Sequence, residues 1–316
     1  MRRMNPLLGN ILTVLKDRGV VVSAESVEKH EHQGFMSTVY TADSNAGKLL
    51  IQISNLVDEH QRNKVWDKFK GLAAILKDHP GIPTSQLLLA DLIDGQNVIV
   101  QTFLEGDRAG RRILQGIEII DEWHVSEKDI LPKALRALAV VHAIKPAAFG
   151  WQAVNMGEKT AYLTWREFVE KESPNWIAAV AATDEQLHEK LLSFVSEIIS
   201  HINYSGPAVL VHGDAINPSN LLVRDKEIAL LDWEWAIGAD PAWEFCDIGW
   251  KPYRTEEGLA PYFEASGIQG AQRTEFLRRV DLYAPLWLLW GAYMHTKDEN
   301  PHIYLVLKEA LVASIR

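Results

Sequence analysis

Leu210-Val211-His212-Gly213-Asp214-Ala215-Ile216-Asn217-Pro218-Ser219-Asn220-Leu221-Leu222-Val223, followed after a short turn by Ile228-Ala229-Leu230-Leu231-Asp232-Trp233-Glu234, decides how this chain reads. Apolar runs bounded by turn residues predict short buried strands. Asp214, Asn220 and Asp232 fall at the loop positions between and after those runs. Asp and Asn are also ordinary turn formers, so a purely structural role for all three is the plain alternative.

This β-rich island, Ala208 to Asp232, sits in a region otherwise patterned as helix, roughly 129–143, 163–180, 184–202, 256–265, 271–295 and 302–315. Upstream the texture differs. Apolar residues Leu7, Leu8, Ile11, Leu12 and Leu15 recur at helical spacing and predict an opening helix over 5–18. Glu25 to Ala42 and Lys48 to Ser54 are strand-like and separated by the turn-prone Asp43–Gly47. Asp58 to Leu76 is periodic as a helix, with Val65, Phe69, Leu72 and Leu76 on one stripe. Gln86 to Leu92 and Asn97 to Phe103 then predict a hairpin around Asp94-Gly95. Glu105-Gly106-Asp107 reads as a connector. The expected fold class is α+β, a two-lobed arrangement with a small antiparallel-sheet N-terminal lobe (1–104) and a mostly helical C-terminal lobe (105–316).

The 316 residues are 47% apolar and 23% charged, the balance of a globular protein with a sizeable core. The longest apolar run, Leu282 to Met294, is too short to span a bilayer and predicts a buried helix. No signal-type segment opens the chain, and Cys246 is the single cysteine, so a cytoplasmic location is expected. Flanked by Phe245 and Ile248, Cys246 reads as a buried, inert thiol. Net charge is −10, unevenly spread: residues 1–106 hold 11 Lys and Arg against 12 Asp and Glu, and the remainder holds 21 against 30. Such an acidic C-terminal part argues against a nucleic-acid partner. It suits a cationic small-molecule substrate, and equally a solvated surface.

Asp214, Asn220 and Asp232 together suit phosphoryl transfer. One carboxylate can orient an attacking hydroxyl and take its proton, while an amide oxygen and a second carboxylate hold Mg²⁺ on phosphates. Mg²⁺ needs few protein oxygens, so one Asn and one Asp suffice.

The segment resembles the H-G-D-x-x-x-x-N motif of the aminoglycoside phosphotransferase and choline kinase families, followed there by a hydrophobic strand and D-W-x or D-x-G. Gly238-Ala239-Asp240-Pro241-Ala242-Trp243-Glu244-Phe245 resembles their next segment. Phe103-Leu104-Glu105-Gly106 resembles the hinge, and Ala148–Trp151 with Thr164-Trp165 the stretch between lobes. The resemblance spans roughly 20–290, with residues 209–247 its specific part. It implies a kinase-like fold, ATP and Mg²⁺ as cofactors, and a hydroxyl-bearing small molecule, in the first place an antibiotic of aminoglycoside type, as acceptor. A metabolic kinase acting on choline, a sugar or an amino alcohol is the close rival, and a catalytically silent nucleotide-binding relative the other.

By position, the resemblance makes Asp214 the base, Asn220 and Asp232 the metal ligands, and His212 a structural residue tying the loop to the second strand. Gly34–Tyr40 resembles the phosphate-covering turn, which makes Gly34, Ser37 and Thr38 nucleotide contacts; Gln52, Gln101 and Phe103 complete that set. Two departures stand out. The family spaces its Asp and Asn five apart, whereas Asp214 and Asn220 are six apart, which leaves Asn217 as the other candidate ligand. The family's nucleotide-binding Lys or Arg would fall at Gln52, which carries no charge. Lys48 and Lys64 are candidate substitutes, and Asp67 and Glu59 candidate helix acids. Asp240, before a proline, reads as a cap or loop brace. The 11 tryptophans read mainly as core, with a few of Trp233, Trp235, Trp243 and Trp250 available to line a pocket.

Overall fold

Asn5 starts the first helix, α1 (Pro6–Asp17), by accepting the Leu7 amide on its side chain, with Pro6 at the first helical position. Leu8, Ile11 and Leu15 form the buried stripe that the spacing predicts. In this computed structural model the described residues are 5–30, 37–54, 59–79, 81–82, 84–115, 118–154, 161–225, 227–296 and 302–315, and the side chains of 59–66, 118 and 152 are not described.

After α1 come a two-residue strand β1 (Glu28–Lys29), the hairpin β2 (Ser37–Ser44) and β3 (Gly47–Ser54), helix α2 (Glu59–Leu76), and the hairpin β4 (Leu87–Ile93) and β5 (Gln96–Thr102). They form one antiparallel sheet ordered β1-β2-β3-β5-β4. Asp94 and Gly95 both have positive φ, 50° and 75°, the backbone a two-residue primed turn requires. On one sheet face Ala42, Leu49, Ile51, Ile53, Leu89, Val98 and Val100 pack with Leu8, Ile11 and Leu15 of α1 into a continuous core. Burying roughly ten such side chains, at about 1.5–3 kcal/mol each, is what holds the sheet. The described residues up to Glu105, with Val154, form one compact unit.

The second unit holds the remaining described residues. It opens with β6 (Asp107–Arg108) and a hairpin of β7 (Gly110–Gln115) and β8 (Glu118–Trp123). These strands correct the expectation that a bare connector leads directly into helices. The β-prone Ile119, Ile120 and Trp123 carry the strand signal in Glu118–Trp123, and β6 pairs with the later strand over Leu221–Arg224.

Helices α3 (Glu127–Val141), α4 (Trp165–Val180) and α5 (Glu185–His201) follow. Next come β9 (Val209–Val211), β10 (Leu221–Arg224), β11 (Glu227–Leu230) and β12 (Ile237–Ala239), then α6 (Ala260–Ser266), α7 (Ala271–Met294) and α8 (His302–Ser314). Thr164 and Asp184 cap α4 and α5 through their side chains. The Leu282–Met294 run forms the buried half of α7, and no helix among the described residues is long and apolar enough to cross a membrane. Trp165, Trp176, Trp243 and Trp250 lie wholly inside. The α+β, kinase-like fold class expected from sequence is the one observed.

Candidate active site

Two small antiparallel pairs position the H-G-D loop. β10 and β11 pair from Leu221↔Leu230 to Arg224↔Glu227, and β9 pairs with β12 from Ile237↔Val211 to Ala239↔Val209. Residues 212–220 run from β9 to β10, and 231–236 run from β11 to β12. The Leu231 amide donates to the Asn220 carbonyl at 2.8 Å, which closes the two connections on each other.

His212 is fully buried. Its Nε2 donates to the Leu231 carbonyl at 2.9 Å, and its ring lies 4.6 Å from that of Trp233, so it ties the loop to the second connection. Gly213 takes φ 88°, and a Cβ there would sit 2.7 Å from the Trp235 carbonyl oxygen. No other residue fits this close approach without moving backbone. Beneath both, the Glu244 carboxylate accepts the backbone amides of His212 at 2.7 Å and Gly213 at 3.2 Å. Burial pushes the Glu244 carboxyl up. Contacts with His142, 3.5 Å away, with His212 and with the Gly213 amide outweigh burial and hold it below the ordinary glutamate value.

Asp214 follows, held at both oxygens. Oδ1 accepts from Arg112 Nη1 at 3.0 Å, and Oδ2 accepts from Asn217 Nδ2 at 3.1 Å and Asn220 Nδ2 at 2.8 Å. Its carboxyl is pushed well above the ordinary value, mainly by burial. Arg112 opposes that shift, the negative charges of Asp247 and Asp232 add to it, and the Asn217 bond works against it. Arg112 is fixed in turn by Asp121 and Asp247. Burial disfavours its charge, but Asp247, Asp121 and Asp214 more than compensate, so its pKa is raised. Neither Arg112 nor Asp121 belongs to the motif read from sequence. The signal that could have found them is the β-prone content of the stretch, Ile113, Ile119, Ile120 and Trp123, and the hairpin register then sets Arg112 directly opposite Asp121.

The two candidate asparagines differ. Asn217 Oδ1 accepts from the Ser219 amide at 3.1 Å and the Ser219 hydroxyl at 2.5 Å, so its oxygen is engaged. Asn220 is anchored through its nitrogen to the Asp214 carboxylate and carbonyl, which turns its oxygen away from those bonds. Asp232 sits in the left-handed region, φ 58° and ψ 71°, exposed and without a capping bond. A non-glycine residue there is strained by about 1 kcal/mol or more, the kind of outlier that a functional loop retains. No group of three or more His, Cys, Asp or Glu among the described residues is arranged to hold a metal. A hard-oxygen pair of one amide and one carboxylate still suits Mg²⁺, which keeps most of its ligands as water or phosphate.

Of the sequence-derived nucleotide set, Ser37, Thr38, Gln52 and Gln101 lie on the N-terminal sheet, and Phe103 directly follows β5. Pairing puts Gln52 opposite Val39 and Ile99, and Leu50 opposite Thr41 and Gln101. Strand alternation thus places Gln52, Gln101 and Ser37 on the face away from α1. Thr38, opposite Ile53, lies on the α1 side. Gln101 accepts from the Ser85 hydroxyl at 2.8 Å. The Phe103 ring lies 5.8 Å from that of His30, tilted by 39°, with the Lys48 ammonium over it at 5.0 Å from the centroid. Asp67 pairs with Lys70 at 3.5 Å. Gly34 lies outside the described residues, as do the side chains of Glu59 and Lys64. Asp240 caps Ala242 and accepts from Arg279 and Tyr283, the brace expected for it. Trp235 is half-exposed and lies 5.1 Å from Trp290.

The sequence model of the phosphotransferase enzyme family matches residues 32–277. Among solved structures, the chain is similar to the macrolide 2′-phosphotransferase MphH of Brachybacterium faecium, with 20% identity over 99% of this chain and 98% of that one, at a TM-score of 0.59. It is similar to the aminoglycoside phosphotransferase APH(4)-Ia at 16% identity, covering 96% of each chain, with a TM-score of 0.61. It is also similar to an ethanolamine kinase of Plasmodium vivax, with 12% identity over 100% of this chain and 89% of that one, at a TM-score of 0.64. At these identities the likeness is one of fold. No curated protein sequence matches it.

Proposed function

The chain belongs to the phosphotransferase enzyme family and is a small-molecule kinase with an alcohol group as acceptor, and from that premise we propose that it transfers the γ-phosphoryl group of ATP, with Mg²⁺, to a hydroxyl of an aminoglycoside-like antibiotic in the cytoplasm. The observation that supports this reading is the Asp214 carboxylate, fixed at both oxygens on the same paired connections that carry Asn220 and Asp232.

Asp214 orients the acceptor hydroxyl and takes its proton as that oxygen attacks the γ-phosphorus. The bond to the β-bridging oxygen breaks, ADP leaves, and the proton passes from Asp214 to solvent. Asn220 and Asp232 would hold Mg²⁺, which would supply charge neutralisation on the transferring phosphates. Asn217 keeps Asp214 in register, while Ser37, Gln52, Gln101 and Phe103 contact the nucleotide with Gly34; Thr38, on the α1 side of the sheet, drops out of that set. Lys48 supplies a cation near Phe103 in place of the one missing at Gln52. The acidic balance of residues 107–316 favours a cationic acceptor.

The test is ADP release from Mg·ATP across kanamycin, spectinomycin, erythromycin, choline, ethanolamine and small sugars, with Asp214→Asn as control. One acceptor is expected to be turned over well above background. The control should lose about 10³-fold, the scale of a positioned general base. Near-normal turnover by Asp214→Asn would overturn the assignment.

A further inference from the structure

We propose that Arg112, delivered by the β7–β8 hairpin, is the positioning residue of the catalytic carboxylate: its guanidinium fixes the angle at which Asp214 meets the acceptor hydroxyl. The inference rests on the reading of Asp214 as the base. The guanidinium has five N–H donors, and five bonds leave it. Nε donates to Asp121 Oδ1 at 2.8 Å, and Nη2 donates to Asp121 Oδ2 at 3.0 Å and Asp247 Oδ1 at 3.1 Å. Nη1 donates to Asp247 Oδ2 at 3.3 Å and Asp214 Oδ1 at 3.0 Å.

Two edges of the fork are thus spent on fixing Arg112 to the scaffold, and the remaining donor points at Asp214. Asp121 is its cross-strand neighbour in the hairpin. Asp247, 1% exposed, is held by its own bond to the Gly249 amide at 2.7 Å. A Cβ at Gly249 would lie 2.5 Å from Arg112 Nη2, so the chain leaves the space that the guanidinium fills. Asp214 Oδ1 takes one donor, from Arg112, and Oδ2 takes two; a carboxylate oxygen accepts two, so a lone pair on Oδ1 stays open to a hydroxyl. A lysine supplies the charge but cannot form two planar forks. Arg112 therefore sets direction as well as neutralising charge.

The experiment measures kcat and the KM for ATP in Arg112→Ala, Arg112→Lys and Gly249→Ala. The acceptor is the one wild type turns over fastest in the panel above, and phosphate release to water serves as an acceptor-free arm. Arg112→Ala is expected to lose about 10²-fold in kcat, the cost of misplacing a reacting group by roughly 1 Å, with KM for ATP within about twofold. Arg112→Lys should recover less than about a tenth of the lost rate, since charge alone does not restore the fork. Guanidinium ion at tens of millimolar should raise the Arg112→Ala rate about tenfold and leave Asp214→Asn unchanged, by refilling the vacated fork. Gly249→Ala should lower kcat without removing any charge. Where Arg112→Ala does not fold, the lysine and Gly249→Ala variants decide. Full kcat in Arg112→Lys together with Gly249→Ala, or no guanidinium response in a folded Arg112→Ala, overturns the inference and leaves the proposed function standing. A wild-type chain with no transfer to any acceptor or to water overturns both.

Discussion

The Glu244 carboxylate accepts the His212 backbone N–H at 2.7 Å from a side chain with no exposure to solvent. It lies 32 residues downstream and supports the loop from below, so the turn bearing Asp214 is held by more than its own hydrogen bonds. A buried anion with this many donors is costly to break and contributes little elsewhere, which ties it to holding backbone in place.

Glu244→Gln is expected to cost about 2–3 kcal/mol of unfolding free energy at neutral pH, the range for disturbing a buried charged hydrogen-bond set. Because the folded carboxyl lies below its ordinary value of 4.5, its stabilisation is present above pH 4.5 and is lost as pH falls through the folded value. Urea denaturation of both proteins at neutral pH and near pH 3 checks this. The gap between them should shrink in acid, and an unchanged gap would refute it.

Asn220→Ala and Asp232→Asn should each raise the Mg²⁺ concentration for half-maximal turnover by about tenfold or more, as loss of a metal-orienting group does. Asn217→Ala should leave that concentration within about twofold while lowering kcat, because its oxygen is engaged by Ser219 and only its nitrogen serves Asp214. Thermal shift with ATP and Mg²⁺, compared with Mg²⁺ alone, offers a second readout. If Asn217→Ala has the larger effect on Mg²⁺, the two asparagines exchange roles.

Asp240→Ala removes the cap on Ala242 and takes from Arg279, 13% exposed, its partner at 2.8 Å, leaving it Glu275 at 3.9 Å. A loss of about 2–3 kcal/mol is expected, since the buried pair is broken and the remaining charge is only partly compensated. A change below about 1 kcal/mol in chemical denaturation would show that α7 does not need this brace.

Cys246 is 1% exposed, its Sγ lies 3.3 Å from the Ala242 carbonyl, and burial pushes its thiol well above the ordinary value. A disulfide-exchange reagent should therefore label it only at the rate of unfolding. Rapid labelling of the folded chain would contradict the buried, inert thiol.

The readable parts of the sequence were those whose physics is local. Helix α1 follows from Leu8, Ile11 and Leu15 at helical spacing behind a capping Asn5, and the β4–β5 turn from Asp94-Gly95. The H-G-D connection lies between two apolar strands for the same reason. The hairpin over 110–123 is not legible in this way, because Arg111-Arg112, Ile119-Ile120 and Asp121-Glu122 pair like with like and break the two-residue period of a half-buried strand.

Sequence alone determined the fold class, the family, and which oxygen-bearing side chains gather on two neighbouring connections, because hydrophobic period, turn chemistry and motif spacing are short-range properties. Only the tertiary structure decided what holds them. Arg112 reaches Asp214 across 102 residues, and Glu244 reaches His212 across 32. Ion pairs and buried hydrogen bonds of that kind depend on which surfaces the packed core brings together, and no local pattern along the chain encodes them.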